Sequence, residues 1–163
     1  MNVAVTPDVA EAVVSGGYWL GGATMMLTLG LTVGLHYEGM SSLSRSLPGW
    51  KVAPRPRLLL LIFCLIGLHT IEIWLFAGGI FWLAQLLELQ AVHPPLPLKL
   101  LDAVYLSAMT YTTVGYGDIV PQGPLRLVMA SEALTGLLLI TWSASFTYLE
   151  MEQYWRPQRG RWR

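Results

Sequence analysis

Hydrophobic positions run almost unbroken through three long stretches of the chain. Between Glu11 and His36 no ionisable side chain occurs. Residues 17–35 alone would form a helix of about 28 Å, enough to cross a bilayer. Asp8 and Glu11 open this run with no Lys or Arg before it. It therefore lacks the basic start of a secretory signal peptide and reads as a retained span. Residues 58–87 form a second run, interrupted only by His69 and Glu72. As one helix it would reach about 45 Å, longer than the hydrocarbon core, so tilt or a projecting end is expected. The prolines of Ala91-Val92-His93-Pro94-Pro95-Leu96-Pro97 remove backbone donors and end it. The third run starts after Pro121 and Pro124 and continues to about Glu150, broken only by Arg126 and Glu132. Tyr154, Trp155 and Trp162 suit an interfacial end. Gly17 with Gly21, and Gly30 with Gly34, form small-xxx-small pairs that permit close helix approach.

Composition sharpens this picture. Apolar residues make up 54% of the 163 positions and charged residues 12%, about half the usual charged share of a soluble domain. Ten Lys and Arg balance ten Asp and Glu, and no basic run is long enough to hold a nucleic-acid backbone, so nucleic acid is not expected as a partner. One cysteine, Cys64, excludes an intrachain disulfide and a Cys-based zinc site. Three spans leave too little chain for a separate soluble domain of ordinary size, so any activity would lie within the membrane. A membrane enzyme finds no support. Ser131 beside Glu132 is an adjacent pair without further partners, and His93 sits among prolines.

Basic residues set the orientation, because translocating positive charge is disfavoured. Arg45, Lys51, Arg55 and Arg57 lie between the first two spans, and Arg156, Arg159, Arg161 and Arg163 follow the third. Only Lys99 and Arg126 fall on the other side. The N-terminus is thus expected outside and the C-terminus in the cytoplasm. Three spans satisfy this only if residues 88–124 dip into the membrane and return on the same side.

Within that segment Leu100, Leu101, Val104, Tyr105, Ala108 and Met109 recur at helical spacing over residues 99–111, with Asp102 in the first turn to complement the dipole. Such a helix is too short to span. It leads into Thr112-Thr113-Val114-Gly115-Tyr116-Gly117-Asp118. Irregular backbone at membrane depth leaves carbonyls unpaired, which is tolerated only where they line a pore or contact protein, and a cation could satisfy them. Gly115 and Gly117 can take positive φ without a Cβ penalty, which lets Thr113, Val114, Gly115 and Tyr116 aim their oxygens one way.

These seven residues resemble the selectivity filter of potassium channels. The order outer helix, pore helix, filter and inner helix is similar to the pore domain of the bacterial two-transmembrane type, with one extra N-terminal span. The resemblance covers residues 58–150. It implies an all-α membrane protein of three transmembrane helices plus a re-entrant pore helix and filter loop, assembled as a homotetramer and conducting K⁺ passively. One chain carries one filter segment, so four copies must surround the ion, in closed cyclic symmetry. The implied K⁺ ligands are the carbonyls of Thr113, Val114, Gly115 and Tyr116, with Gly117 completing the filter, the Thr113 hydroxyl completing the innermost site, and Thr112 and Asp118 in support. The implied partners are K⁺, membrane lipid and further copies of the chain, with no cofactor beside the permeant ion. The implied location is a bacterial inner membrane.

The chain then divides into residues 1–36 (N-terminal segment and extra span), 37–57 (basic linker), 58–150 (pore domain) and 151–163 (basic tail). The pore domain comprises an outer helix 58–90, a pore helix 99–111, a filter 112–118 and an inner helix 124–150. The family's inner-helix glycine corresponds to Gly136. Helical steps from it give Ile140, Ala144, Tyr148 and Met151 as a pore-facing stripe, the last two forming a narrow cytoplasmic crossing. Alternatively this stripe packs on the outer helix and its neighbour lines the pore. Where the best-known bacterial members carry a pore-helix glutamate that pairs with the aspartate after the filter, this chain has Met109, which leaves Tyr105 as the candidate partner of Asp118. The first span lacks the spaced arginines of a voltage sensor. A non-selective cation channel of the same architecture, or a non-conducting membrane adaptor or regulatory subunit, is the alternative.

Three ionisable residues sit at membrane depth. His69 and Glu72 are three apart on one helix face, and Glu132 lies in the third span. Each is expensive in hydrocarbon and needs partners. The expectation is one polar cluster behind the filter in which Glu132 reaches the pair, either responding to pH or simply fixing the packing.

Overall fold

From residue 16 no proline interrupts the chain until Pro48, and the apolar sequence folds as one helix, α1 (Gly16–Ser46), closed by a 3-10 turn, Leu47–Gly49. The remaining elements are α2 (Pro54–Leu86), β1 (Val92–His93), α3 (Leu100–Tyr111), β2 (Val120–Pro121) and α4 (Leu125–Arg159). This computed structural model describes residues 16–87, 92–93 and 97–159. Asp8 and Glu11, the residues 88–91 and 94–96, Arg161, Trp162 and Arg163, and the side chains of His93, Tyr154, Trp155, Arg156 and Arg159 lie outside the described part.

The linker expected over 37–57 is therefore helical as far as Ser46. Arg45 falls in the last turn of α1, where a cation meets the negative end of the helix dipole. Helix α2 begins at Pro54, earlier than expected, because a proline in the first turn forfeits only an N–H that would be unpaired anyway. Helix α3 starts where the Asp102 carboxylate accepts the Lys99 N–H at 3.2 Å. Three described helices are long and apolar enough to cross a membrane.

Helix α1 is turned inside out relative to a soluble amphipathic helix. Gly21, Thr24, Thr28, Thr32, His36 and Met40 form its buried stripe, while Trp19, Met26, Leu27 and Tyr37 are exposed. In lipid, apolar surface gains nothing from leaving its surroundings, so small and polar residues are the ones that meet neighbouring helices. The Thr24 and Thr28 hydroxyls donate to the carbonyls of Leu20 and Thr24 at 2.9 and 2.8 Å. Their methyl groups then meet Gly79 of α2, where a Cβ would lie 2.6 Å from Thr28 Cγ2 and 3.3 Å from Thr24 Cγ2. A Cβ on Gly39 would lie 2.8 Å from Leu68, and one on Gly21 would lie 2.9 Å from Pro124. Contacts of 28 with 79 and 39 with 68 make α1 and α2 antiparallel. Of the four glycines in the expected small-residue pairs, Gly21 makes such an approach, whereas Gly30 and Gly34 have open space around them.

Between the long helices the chain goes in and comes back. Val92 pairs with Pro121 and His93 with Val120 in an antiparallel bridge, so the segment containing α3 enters and leaves at one level. Phe76, Ile80, Ala103, Leu106, Val128 and Met129 lock α3 between α2 and α4. At the opposite end, Arg57 and Glu150 approach to 4.0 Å, above a second apolar cluster of Met40, Leu47, Leu61 and Leu65.

Candidate functional site

Helix α3 ends at Tyr111, and the next residues fold back onto its last turn. The Thr112 and Thr113 N–H groups donate to Ala108 and Thr110 carbonyls at 3.1 and 2.9 Å, and the Gly115 N–H donates to Met109 at 3.1 Å. The Thr112 hydroxyl also donates to Ala108, at 2.7 Å. Along the loop the sign of φ alternates. Thr113 (59°), Gly115 (53°) and Gly117 (80°) are positive, and Val114 and Tyr116 are negative. Residues of alternating hand turn successive peptide N–H groups to one side and therefore carbonyls to the other. Among the described residues, no hydrogen bond is accepted by the carbonyls of Thr113 through Gly117. The loop thus combines three bonded donors, at Thr112, Thr113 and Gly115, with a row of open acceptors. Positive φ at a β-branched residue is an outlier that costs about 1–3 kcal/mol, so Thr113 holds strain that its residue type did not advertise.

Behind the loop, Tyr105, Met109, Asp118, Ile119, Arg126 and Met129 line a cavity of about 390 Å³. Tyr105 and Asp118 both line this cavity and interact electrostatically, so the structure places near each other the two residues that Met109 leaves to each other.

Deeper in the membrane, the expected single polar cluster resolves into two. In the first, Glu72 is fully buried and accepts from three donors on three elements. His36 Nδ1 of α1 lies 2.8 Å from Oε1. His69 Nδ1 lies 2.9 Å and the Tyr111 hydroxyl 2.5 Å from Oε2. An ionised carboxylate only accepts, so both imidazoles present Nδ1–H to it. His36 and Tyr111 were not singled out in the sequence as members of this network. His36 looked like the end of an apolar run. It is buried because α1 continues for ten residues beyond it and carries it onto the Thr24, Thr28 and Thr32 stripe.

Glu132 is not bonded to that pair, because α3 lies between them. Its Oε1 contacts the Ser107 hydroxyl, which also lies 2.8 Å from the Ile73 carbonyl oxygen. One hydroxyl has one proton to give, so one of these two contacts needs a proton carried by Glu132. A glutamine supplies that donor in the same place. Glu132→Gln is therefore expected to unfold within a few degrees of the wild type in detergent. Glu132→Ala, which leaves a cavity and strips Ser107, should lose about 2–4 kcal/mol. Equal losses for both would make the buried group a charged acceptor instead.

His36, His69 and Glu72 also offer three ligand-type atoms within 4.8 Å of one another. Ligands around a tetrahedral ion at ~2.0–2.1 Å stand about 3.3 Å apart. The 2.8 and 2.9 Å contacts here are closer than that, and both Glu72 oxygens already have donors. The arrangement fits a hydrogen-bond network better than a metal centre.

On α4, Gly136 is buried against the end of α3. A Cβ there would lie 2.9 Å from the carbonyl carbon and 3.0 Å from the Cα of Tyr111, and closer still to the carbonyl oxygen. Ile140, Ala144 and Tyr148 share an exposed face, with Met151 half-buried. Gly136 thus marks a close backbone contact, and the stripe that follows it faces open space in the single chain.

A protein family described as "Ion channel" matches residues 57–152. Over 89 residues the chain is 33% identical to the inward rectifier potassium channel Kirbac3.1 of Paramagnetospirillum magnetotacticum, an alignment covering 54% of this chain and 29% of that protein. Over 38 residues it is 48% identical to protein LctB of Bacillus caldotenax, covering 23% of this chain and 28% of the other. LctB of Geobacillus stearothermophilus matches to the same extent. The chain therefore spans less than a third of the length of these relatives. No solved structure matches it significantly.

Proposed function

The chain belongs to the ion-channel family, and from that premise we propose that it forms a K⁺-selective, homotetrameric pore that passes K⁺ down its gradient. It is an integral membrane protein of a channel family and not an enzyme. The carrying observation is the run of open carbonyls from Thr113 to Tyr116, held by alternating φ between a short inserted helix and a long one. Bare acceptors at membrane depth are costly unless a ligand completes them. Four chains around an axis would stack these oxygens into cages that replace the water of a dehydrated ion. Closed fourfold symmetry is the expected form. The Thr113 hydroxyl would close the innermost cage, and the C-terminus of α3 would direct its partial negative charge at the cavity beneath. That one relative is named a potassium channel supports K⁺ as the ion.

On this reading the basic ends of α1 and α2 face the cytoplasm and the Val92–Pro121 bridge faces outside. The relatives' sources suit a bacterial cytoplasmic membrane. The exposed α4 face of Ile140, Ala144 and Tyr148 lines the inner pore, narrowing toward Tyr148 and Met151.

Liposomes carrying the purified protein test the proposal directly. A K⁺ gradient should drive a barium-blockable flux well above that of empty vesicles, with Na⁺ flux far smaller. Equal K⁺ and Na⁺ fluxes would make it a non-selective cation channel. No flux of either would leave an adaptor with a channel fold.

A further inference from the structure

Tyr111 is the last residue of α3, and Thr113, the innermost proposed K⁺ ligand, follows two residues later. Tyr111 is fixed at both ends. Its main chain abuts Gly136 of α4, and its hydroxyl is held by Glu72 Oε2 of α2, with His69 Nδ1 3.0 Å away. The other oxygen of that carboxylate accepts from His36, which belongs to the extra first helix. His36 has no freedom to leave. Its ring stands 5.5 Å from that of His69 at 30°, and 5.1 Å from that of Trp142 at 49°. It is fully buried, and its Nε2 has no partner among the described residues. The bond to Glu72 is thus the polar contact that ring makes.

Resting on the reading of residues 112–118 as a filter, we propose that His36 is a positioning residue for ion selection. By donating to Oε1 it fixes the Glu72 carboxylate in the rotamer whose Oε2 holds Tyr111, and so sets the backbone from which the filter departs. The first helix is then a working part of the permeation path. A carboxylate deprived of His36 keeps its two donors on one oxygen and is free to rotate toward His69, which releases the tyrosine.

A purely structural role would change stability, whereas a positioning role changes which ions pass. The test is the K⁺:Na⁺ flux ratio of the full chain in liposomes. His36→Ala and Tyr111→Phe should each lower the ratio by roughly tenfold, the scale of one hydrogen bond to a charged acceptor. The double variant should fall no further than either single, because both cut the same chain of contacts. His36→Asn, whose amide nitrogen reaches the place of Nδ1, should restore most of the ratio. Thr32→Val, one turn away on the same buried face, should stay within twofold. A His36→Ala ratio within twofold of wild type, or single effects that multiply in the double, overturns the proposal. Should His36→Ala not assemble, His36→Asn and His36→Gln decide. A ratio kept by Asn and lowered by Gln supports positioning, because the longer amide overshoots Oε1, and equal ratios overturn it. Wild-type protein that passes neither ion would sink the filter reading itself, an outcome distinct from all of these.

Discussion

Alanine at Gly115 is expected to cut K⁺ flux through the reconstituted channel by about three orders of magnitude or more while leaving helical content unchanged. Gly115 sits at φ 53°, and a Cβ built there meets nothing within 4 Å in the chain. The penalty is therefore conformational. Holding an L-residue in the left-handed region costs roughly 1–2 kcal/mol. In four chains that becomes about 4–8 kcal/mol per pore, or roughly 10³ to 10⁶ in the population of the conducting arrangement. The cheap escape is to rotate the adjoining peptide plane to negative φ, which turns one carbonyl per chain away from the axis and breaks a cage. Gly30→Ala is the control. Gly30 is helical and equally open, so alanine there should stabilise α1 by about 1 kcal/mol or less and leave flux alone. Flux traces paired with far-UV circular dichroism read both effects. A Gly115→Ala channel within tenfold of wild type would mean that the alternating backbone is not the conducting one.

What the sequence disclosed follows from how local each feature is. The three long helices were legible because unbroken apolar runs need only their own residues to form, and the re-entrant segment followed from counting positive charges on either side. The loop 112–118 was legible for the same reason, since its glycines sit where positive φ is needed. Thr113 was not, because its left-handed turn is imposed by the N–H bonds of the loop to the end of α3 and has no signature in a β-branched residue. The interior face of α1 does not show in the apolar run, because small and polar residues rather than apolar ones meet the neighbouring helices. Thr24, Thr28, Thr32 and His36 recur every fourth residue, and that spacing inside an apolar span is the signal that would have found His36. Glu132 was flagged by its cost, but the His69–Glu72 pair expected as its partner is not the one it meets, because Ser107 reaches it once α3 is inserted between α2 and α4.

Gly136→Ala should both destabilise the protein and close the pore, and the sign of the first effect separates two roles for this glycine. If Gly136 is a point of bending, alanine stiffens α4 and raises helix stability by up to about 1 kcal/mol, so the melting temperature climbs while gating changes. The contact with α3 demands the reverse. An added Cβ would stand 2.9 and 3.0 Å from main-chain atoms of Tyr111 and closer to its carbonyl oxygen. Main chain cannot swing aside as a side-chain tip does, so the end of α3 must shift, at about 1–3 kcal/mol per chain for overpacking of this kind. The shift has no slack to absorb it, because Glu72 holds the Tyr111 hydroxyl on the far side. Displacement therefore passes into Thr112 and Thr113. Thermal unfolding in detergent should show a lower midpoint for Gly136→Ala, and liposome flux should fall to the level of Gly115→Ala. Truncating the neighbour, as in Gly136→Ala with Tyr111→Ala, should not restore either quantity, since the clash is with atoms that every residue at position 111 carries. A melting temperature above wild type would assign Gly136 to bending and remove the contact from the account of how α4 holds the filter.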